Sequence, residues 1–132
     1  MVAITMMFSV VALAGNQTFF RSYLANDVKY DSASNTKPND GDPTLYVTTL
    51  KDNGNPQSSS TVFPNGGTLY AKARLVANPN GVYSPTIAFV SNTHKTVTYG
   101  AGMARYNQDY ILRTEISGCK INRALQWVRW CP

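Results

Sequence analysis

The feature that most constrains this chain is its punctuation. Turn chemistry recurs at Asn39-Asp40-Gly41-Asp42-Pro43, Asp52-Asn53-Gly54-Asn55-Pro56, Pro64-Asn65-Gly66-Gly67, Asn78-Pro79-Asn80-Gly81 and Gly100-Ala101-Gly102. Asn and Gly accept positive φ and Pro presets φ at the first corner, so each cluster favours reversal of the chain. The spacing, mostly roughly 10 to 15 residues, suits short strands and leaves little room for helices. Connections this short hold no crossover helix, so the strands must pair largely antiparallel.

The runs between these turns alternate with period two. In 69–76, Leu69, Ala71, Ala73 and Leu75 share one face while Lys72 and Arg74 take the other, the pattern of a half-buried strand. In 110–116, Tyr110, Leu112, Thr114 and Ile116 are expected to face inward, with Arg113 and Glu115 outward. Further strands are predicted over Thr44–Leu50, 87–91, 95–99 and Ala124–Cys131, with 19–29 read as strand or irregular. The stretch 51–61 lacks apolar residues and is expected to be a mobile surface loop. With 43% apolar and 14% charged residues in 132, the composition is that of a folding domain and not of a disordered chain. The expected architecture is all-β: one antiparallel β-sandwich over 15–132, with a partly closed barrel as the alternative.

Residues 1–14 (MVAITMMFSVVALA) form an uncharged apolar run closed by Ala12-Leu13-Ala14, like the apolar core and small-x-small cleavage site of a secretory signal peptide. The basic start of such a leader is missing, since the first base is Arg21. A buried first strand or short core helix is the competing reading. Export predicts an extracellular protein and an oxidising environment. Cys119 and Cys131 are then expected to form a disulfide across the base of a terminal hairpin, worth about 3 kcal/mol in the chain-entropy model. The alternative is two reduced cysteines.

Charge is unevenly spread. Residues 1–66 hold four bases against five acids, net −1, whereas 67–132 hold eight bases against two acids, net +6. Bases gathered on a sheet face attract polyanions. The candidate binding residues are therefore Lys72, Arg74, Arg105, Arg113, Arg123 and Arg129, with Trp127 and Trp130 interleaved among the last of them. The expected partners are an anionic cell-wall polymer or a membrane surface, with self-association and nucleic acid left open. The plain alternative is outward-facing solubility charges and core tryptophans.

Catalytic groups are scarce. A metal-free ribonuclease would draw on Glu115 as base, His94 as acid, and Arg113 and Arg105 for the phosphate, but these are the sole Glu and the sole His and form no motif. No Gly-x-Ser-x-Gly elbow is present, one His with two Cys is too few for a zinc site, and the Asp40 and Asp52 turns do not follow calcium-loop spacing. No cofactor or catalytic residue is expected.

Thr98-Tyr99-Gly100, Tyr106, Tyr110-Ile111-Leu112-Arg113 and the ending Trp127-x-x-Trp130-x-Pro132 resemble the end of small exported all-β proteins of Gram-positive bacteria, lactococcin-type bacteriocins and uncharacterised relatives among them. The resemblance spans roughly the last third of the chain. It implies a secreted, non-enzymatic β-sandwich, some relatives of which inhibit other bacteria at the cell wall, and it supplies no functional residue. Two readings compete with such a cationic binding protein. One is a structural subunit that pairs through an edge strand or the apolar N-terminal segment. The other is the ribonuclease-like enzyme.

Overall fold

A computed structural model describes residues 15–54 and 57–132; the signal-peptide assignment to 1–14 lies outside the described residues. The elements are β1 (Gln17–Tyr23), β2 (Tyr30–Asp31), β3 (Asn35–Thr36), β4 (Thr44–Leu50), a 3-10 turn (Phe63–Asn65), β5 (Thr68–Leu75), β6 (Ile87–Phe89), β7 (His94–Thr98), β8 (Asp109–Ser117) and β9 (Ala124–Cys131). Two antiparallel sheets result. Sheet A runs β1-β9-β4-β7, and sheet B runs β2-β8-β5-β6 with β3 also on β8. The sheets do not close into a barrel, so the fold is the sandwich.

The period-two pattern dictates which side of each strand is buried. Leu69, Ala71, Ala73 and Leu75 of β5 and Tyr110, Leu112, Thr114 and Ile116 of β8 face inward from sheet B. Leu45 and Val47 of β4 and Ala124, Val128 and Trp130 of β9 meet them from sheet A. Each fully buried large side chain is worth roughly 1.5–3 kcal/mol. A side-chain hydrogen bond crosses this core, joining Tyr23 Oη to Thr114 Oγ1 at 2.6 Å. Burial holds the Tyr23 phenol far above its ordinary pKa, so it stays neutral.

The chain changes sheet at most of its turns. The terminal hairpin expected between Cys119 and Cys131 is absent: past Cys119 the chain forms the single strand β9, which inserts between β1 and β4, while β8 pairs with β5 in the other sheet. That overturns the disulfide, and both cysteines are free. Cys119 is buried just past the end of β8, its main chain hydrogen-bonded in both directions to the Asn26 side chain (3.1 Å each). Cys131 closes β9 opposite Tyr46. β9 itself, from Ala124 to Cys131, is about 23 Å long at 3.3 Å per residue and Cys119 lies before its start, against the 7 Å a disulfide tolerates between Cα atoms. Gly67 marks the tightest packing near Cys119: a Cβ there would lie 2.8 Å from Val62 Cγ1 and 3.2 Å from Cys119 Cβ.

The strands predicted over Thr44–Leu50 and Ala124–Cys131 keep their bounds, and those of β5 to β8 move by one or two residues. β2 and β3 went unread, because two-residue strands show no periodicity. The segment 19–29 divides into the end of β1 and a turn through Asp27, whose φ is 63°. Part of the 51–61 loop is tied to sheet A: Ser60 Oγ donates to the Leu50 carbonyl, and Trp127 Nε1 donates to the Ser58 carbonyl at 2.6 Å.

Candidate cationic face

On sheet B, alternation turns Tyr70, Lys72 and Arg74 of β5 and Ile111, Arg113 and Glu115 of β8 to the outer side. The register sets Lys72 directly opposite Arg113, Tyr70 opposite Glu115 and Arg74 opposite Ile111. On its other flank Arg113 faces Asp31 of β2 and holds it bidentately, Nε to Oδ1 at 2.6 Å and Nη2 to Oδ2 at 2.9 Å. Among the described residues this is the one ion pair. The Arg113 hydrogen bond depresses the Asp31 carboxyl below its usual range and raises the guanidinium above its own.

Lys72 has no such partner among the described residues. Its ammonium is pushed below the ordinary lysine range, first by partial burial and then by Arg74 and Lys29, with Glu115 opposing. Like charges directly opposite in a sheet are destabilising, but Asp31 already pairs Arg113, which acts on Lys72 less than Arg74, Lys29 or the opposing Glu115 does. Arg74 gives Nη1 to the Pro79 carbonyl, while its buried Nε meets no partner among the described residues.

The outer side of sheet A is built differently. Phe20 stacks on Trp127 with ring centroids 4.6 Å apart, and Trp127 lies between Phe20 and Leu50 in register. Arg129, between Thr18 and Thr48, donates from Nε to Thr18 Oγ1 at 3.2 Å. His94 Nδ1 shares a hydrogen bond with Thr48 Oγ1 at 2.7 Å and its ring stacks on Tyr46.

The eight candidate binding residues therefore do not form one surface. Lys72, Arg74 and Arg113 share the outer face of sheet B. Trp127 and Arg129 lie on the outer face of sheet A. Trp130 is fully buried, with Nε1 donating to Gln17 Oε1, so it is a core residue and the expectation of a surface role is corrected. Arg105 and Arg123 are exposed on loops before β8 and before β9, at opposite ends of the molecule along β8. The inward-outward alternation of β9 separates its two tryptophans. Lys29, which sequence reasoning missed, adds to the sheet B cluster. It precedes a strand of two residues, and no pattern in the sequence signals that.

The ribonuclease pairing is likewise not assembled, since His94 stands outward on sheet A and Glu115 outward on sheet B. Among the described residues no group of three or more His, Cys, Asp or Glu side chains is placed to hold a metal ion. No described helix is long and apolar enough to cross a membrane. Comparison of the chain with family models, curated proteins and solved structures finds no match.

Proposed function

We propose that this chain is an exported cationic binding protein that works without a reaction centre, and that its ligand is an anionic polymer of the bacterial cell surface held on the outer face of sheet B. The observation that carries this reading is the gathering of Lys72, Arg74, Arg113 and Lys29 on one face, where Asp31 pairs Arg113 and Glu115 only partly offsets the charge around Lys72. A fold gains nothing from such crowding, whereas a polyanion turns it into attraction. The +6 balance of residues 67–132 supports the sign of the ligand, and the leader-like run at 1–14 supports its location.

Lys72 and Arg74 are two positions apart on one strand face, about 6.8 Å, which lets successive anionic groups of a repeating polymer meet successive cations. The test is retention of the full chain on immobilised wall polymer at low ionic strength. Wild type is retained and released by salt, and the Lys72→Gln/Arg74→Gln pair elutes early. Absence of wild-type retention removes the reading.

A further inference from the structure

We infer that the recess beside β5 is a subsite for a phosphate monoester, an assignment that rests on sheet B being the ligand face and names a specific group taken there. After β5 the chain turns through 76–81, with Asn78 N–H donating to the Leu75 carbonyl and Gly81 N–H to the Asn78 carbonyl, both at 3.1 Å. It then returns along β5 as a strap. Ser84 fastens the strap: its Oγ accepts the Ala73 N–H at 2.9 Å, where a paired strand would supply a carbonyl, and donates to the Pro85 carbonyl at 3.1 Å. A recess of about 150 Å³ is left between strap and strand, lined by Lys72, Arg74, Gly81, Tyr83, Ser84 and Thr86 among others.

Its chemistry is one-sided. Two cations line it and no carboxylate does. Arg74 is held in place by the bond from Nη1 to Pro79, and its Nε is buried without a partner among the described residues. An anion seated in the recess against the Arg74 guanidinium gains a charge-assisted hydrogen bond. Lys72, crowded by Arg74 and Lys29, gains from the same anion. A carboxylate brings one negative charge to two cations. A phosphate monoester brings about 1.5 to 2 at neutral pH together with three acceptor oxygens, so it fits the pair better. Val82, 82% exposed, and Pro85 also line the recess and offer apolar surface to the neutral part of the ligand.

The experiment is calorimetric titration of the full chain at low salt with phenyl phosphate, diphenyl phosphate and benzoate. The monoester should bind at least tenfold tighter than the singly charged diester or benzoate. Its affinity should fall as pH drops through about 6, where it loses its second charge. Arg74→Gln and, separately, Lys72→Gln should each weaken it at least fivefold, with circular dichroism confirming that each variant is folded. Displacement of phenyl phosphate by a polymer with intact phosphate ends, and not by the same polymer trimmed with phosphatase, identifies a chain end as the source. Displacement only by small phosphorylated compounds identifies a free metabolite. Equal affinity for monoester and diester, or folded variants that bind as wild type does, overturns the assignment. If wild type is retained on wall polymer while phenyl phosphate fails to bind, the subsite is wrong and the broader reading stands. Loss of retention itself sinks the broader reading.

Discussion

The two outer faces of this sandwich use the same geometry for opposite ends. On sheet A each long side chain in the centre meets a cross-strand partner that stabilises it: Phe20 on Trp127, Thr18 with Arg129, Thr48 with His94. On sheet B the equivalent central position sets Lys72 against Arg113, and the one stabilising partner there, Asp31, holds Arg113 from its other flank. Cross-strand pairs are the unit of sheet stability, worth roughly 0.2–1 kcal/mol in either direction. Sheet A spends its outer positions on stability, and sheet B concedes some. Free energy conceded by a fold at one place is a pointer to what that place binds.

The sharpest way to break this comparison uses the two tryptophans of β9. Trp130 is fully buried, so Trp130→Ala should cost about 3–5 kcal/mol in chemical denaturation. Trp127→Ala should cost less, about 1–2 kcal/mol, from the lost ring stack and the lost bond to Ser58. Equal losses would mean that the outer face of sheet A is packed like a core.

Sheet B should respond with the other sign. Lys72→Met keeps the aliphatic stem and removes the charge opposed to Arg113, so the midpoint of denaturation should rise, by a few tenths of a kcal/mol. A clear fall would show that Lys72 is paired for stability, and the contrast between the faces would vanish.

Much of this contrast was legible before any fold was known. The alternation in β5 and β8 is long enough to assign every residue a side, and Lys72, Arg74, Arg113 and Glu115 fall where that reading puts them. Partner choice was not legible. Whether Lys72 meets Arg113 or an acid depends on register between strands more than thirty residues apart. The same gap undid the disulfide, because nothing local says that the chain between Cys119 and Cys131 forms one strand inserted between β1 and β4 and not a hairpin closed on itself. Lys37 is a further case. It counts as a surface base by composition, yet it is buried, with Nζ donating to the Pro132 oxygen at 3.1 Å and lying over the Tyr99 and Tyr106 rings. Only the tertiary fold brings those rings together.

The smallest expected effect is a pH dependence. Asp31, held below its usual pKa by Arg113, stabilises the fold above the ordinary carboxylate range, and that contribution is lost as pH falls through its depressed value. The pair is partly exposed, so the loss should amount to a few tenths of a kcal/mol below about pH 4 and be absent in Asp31→Asn. An unchanged acid limb in that variant would show that the pair contributes nothing measurable.

The dependence of polymer binding on salt, measured for wild type, Lys72→Gln/Arg74→Gln and Trp127→Ala/Arg129→Gln, tests the central claim most directly. Counterion release ties the slope of log affinity against log salt to the number of contacts made. The account predicts a steep wild-type slope that drops by roughly two contacts in the sheet B variant and stays largely unchanged in the sheet A variant. A slope that falls only when the sheet A pair is replaced, or that stays the same in both variants, would contradict it.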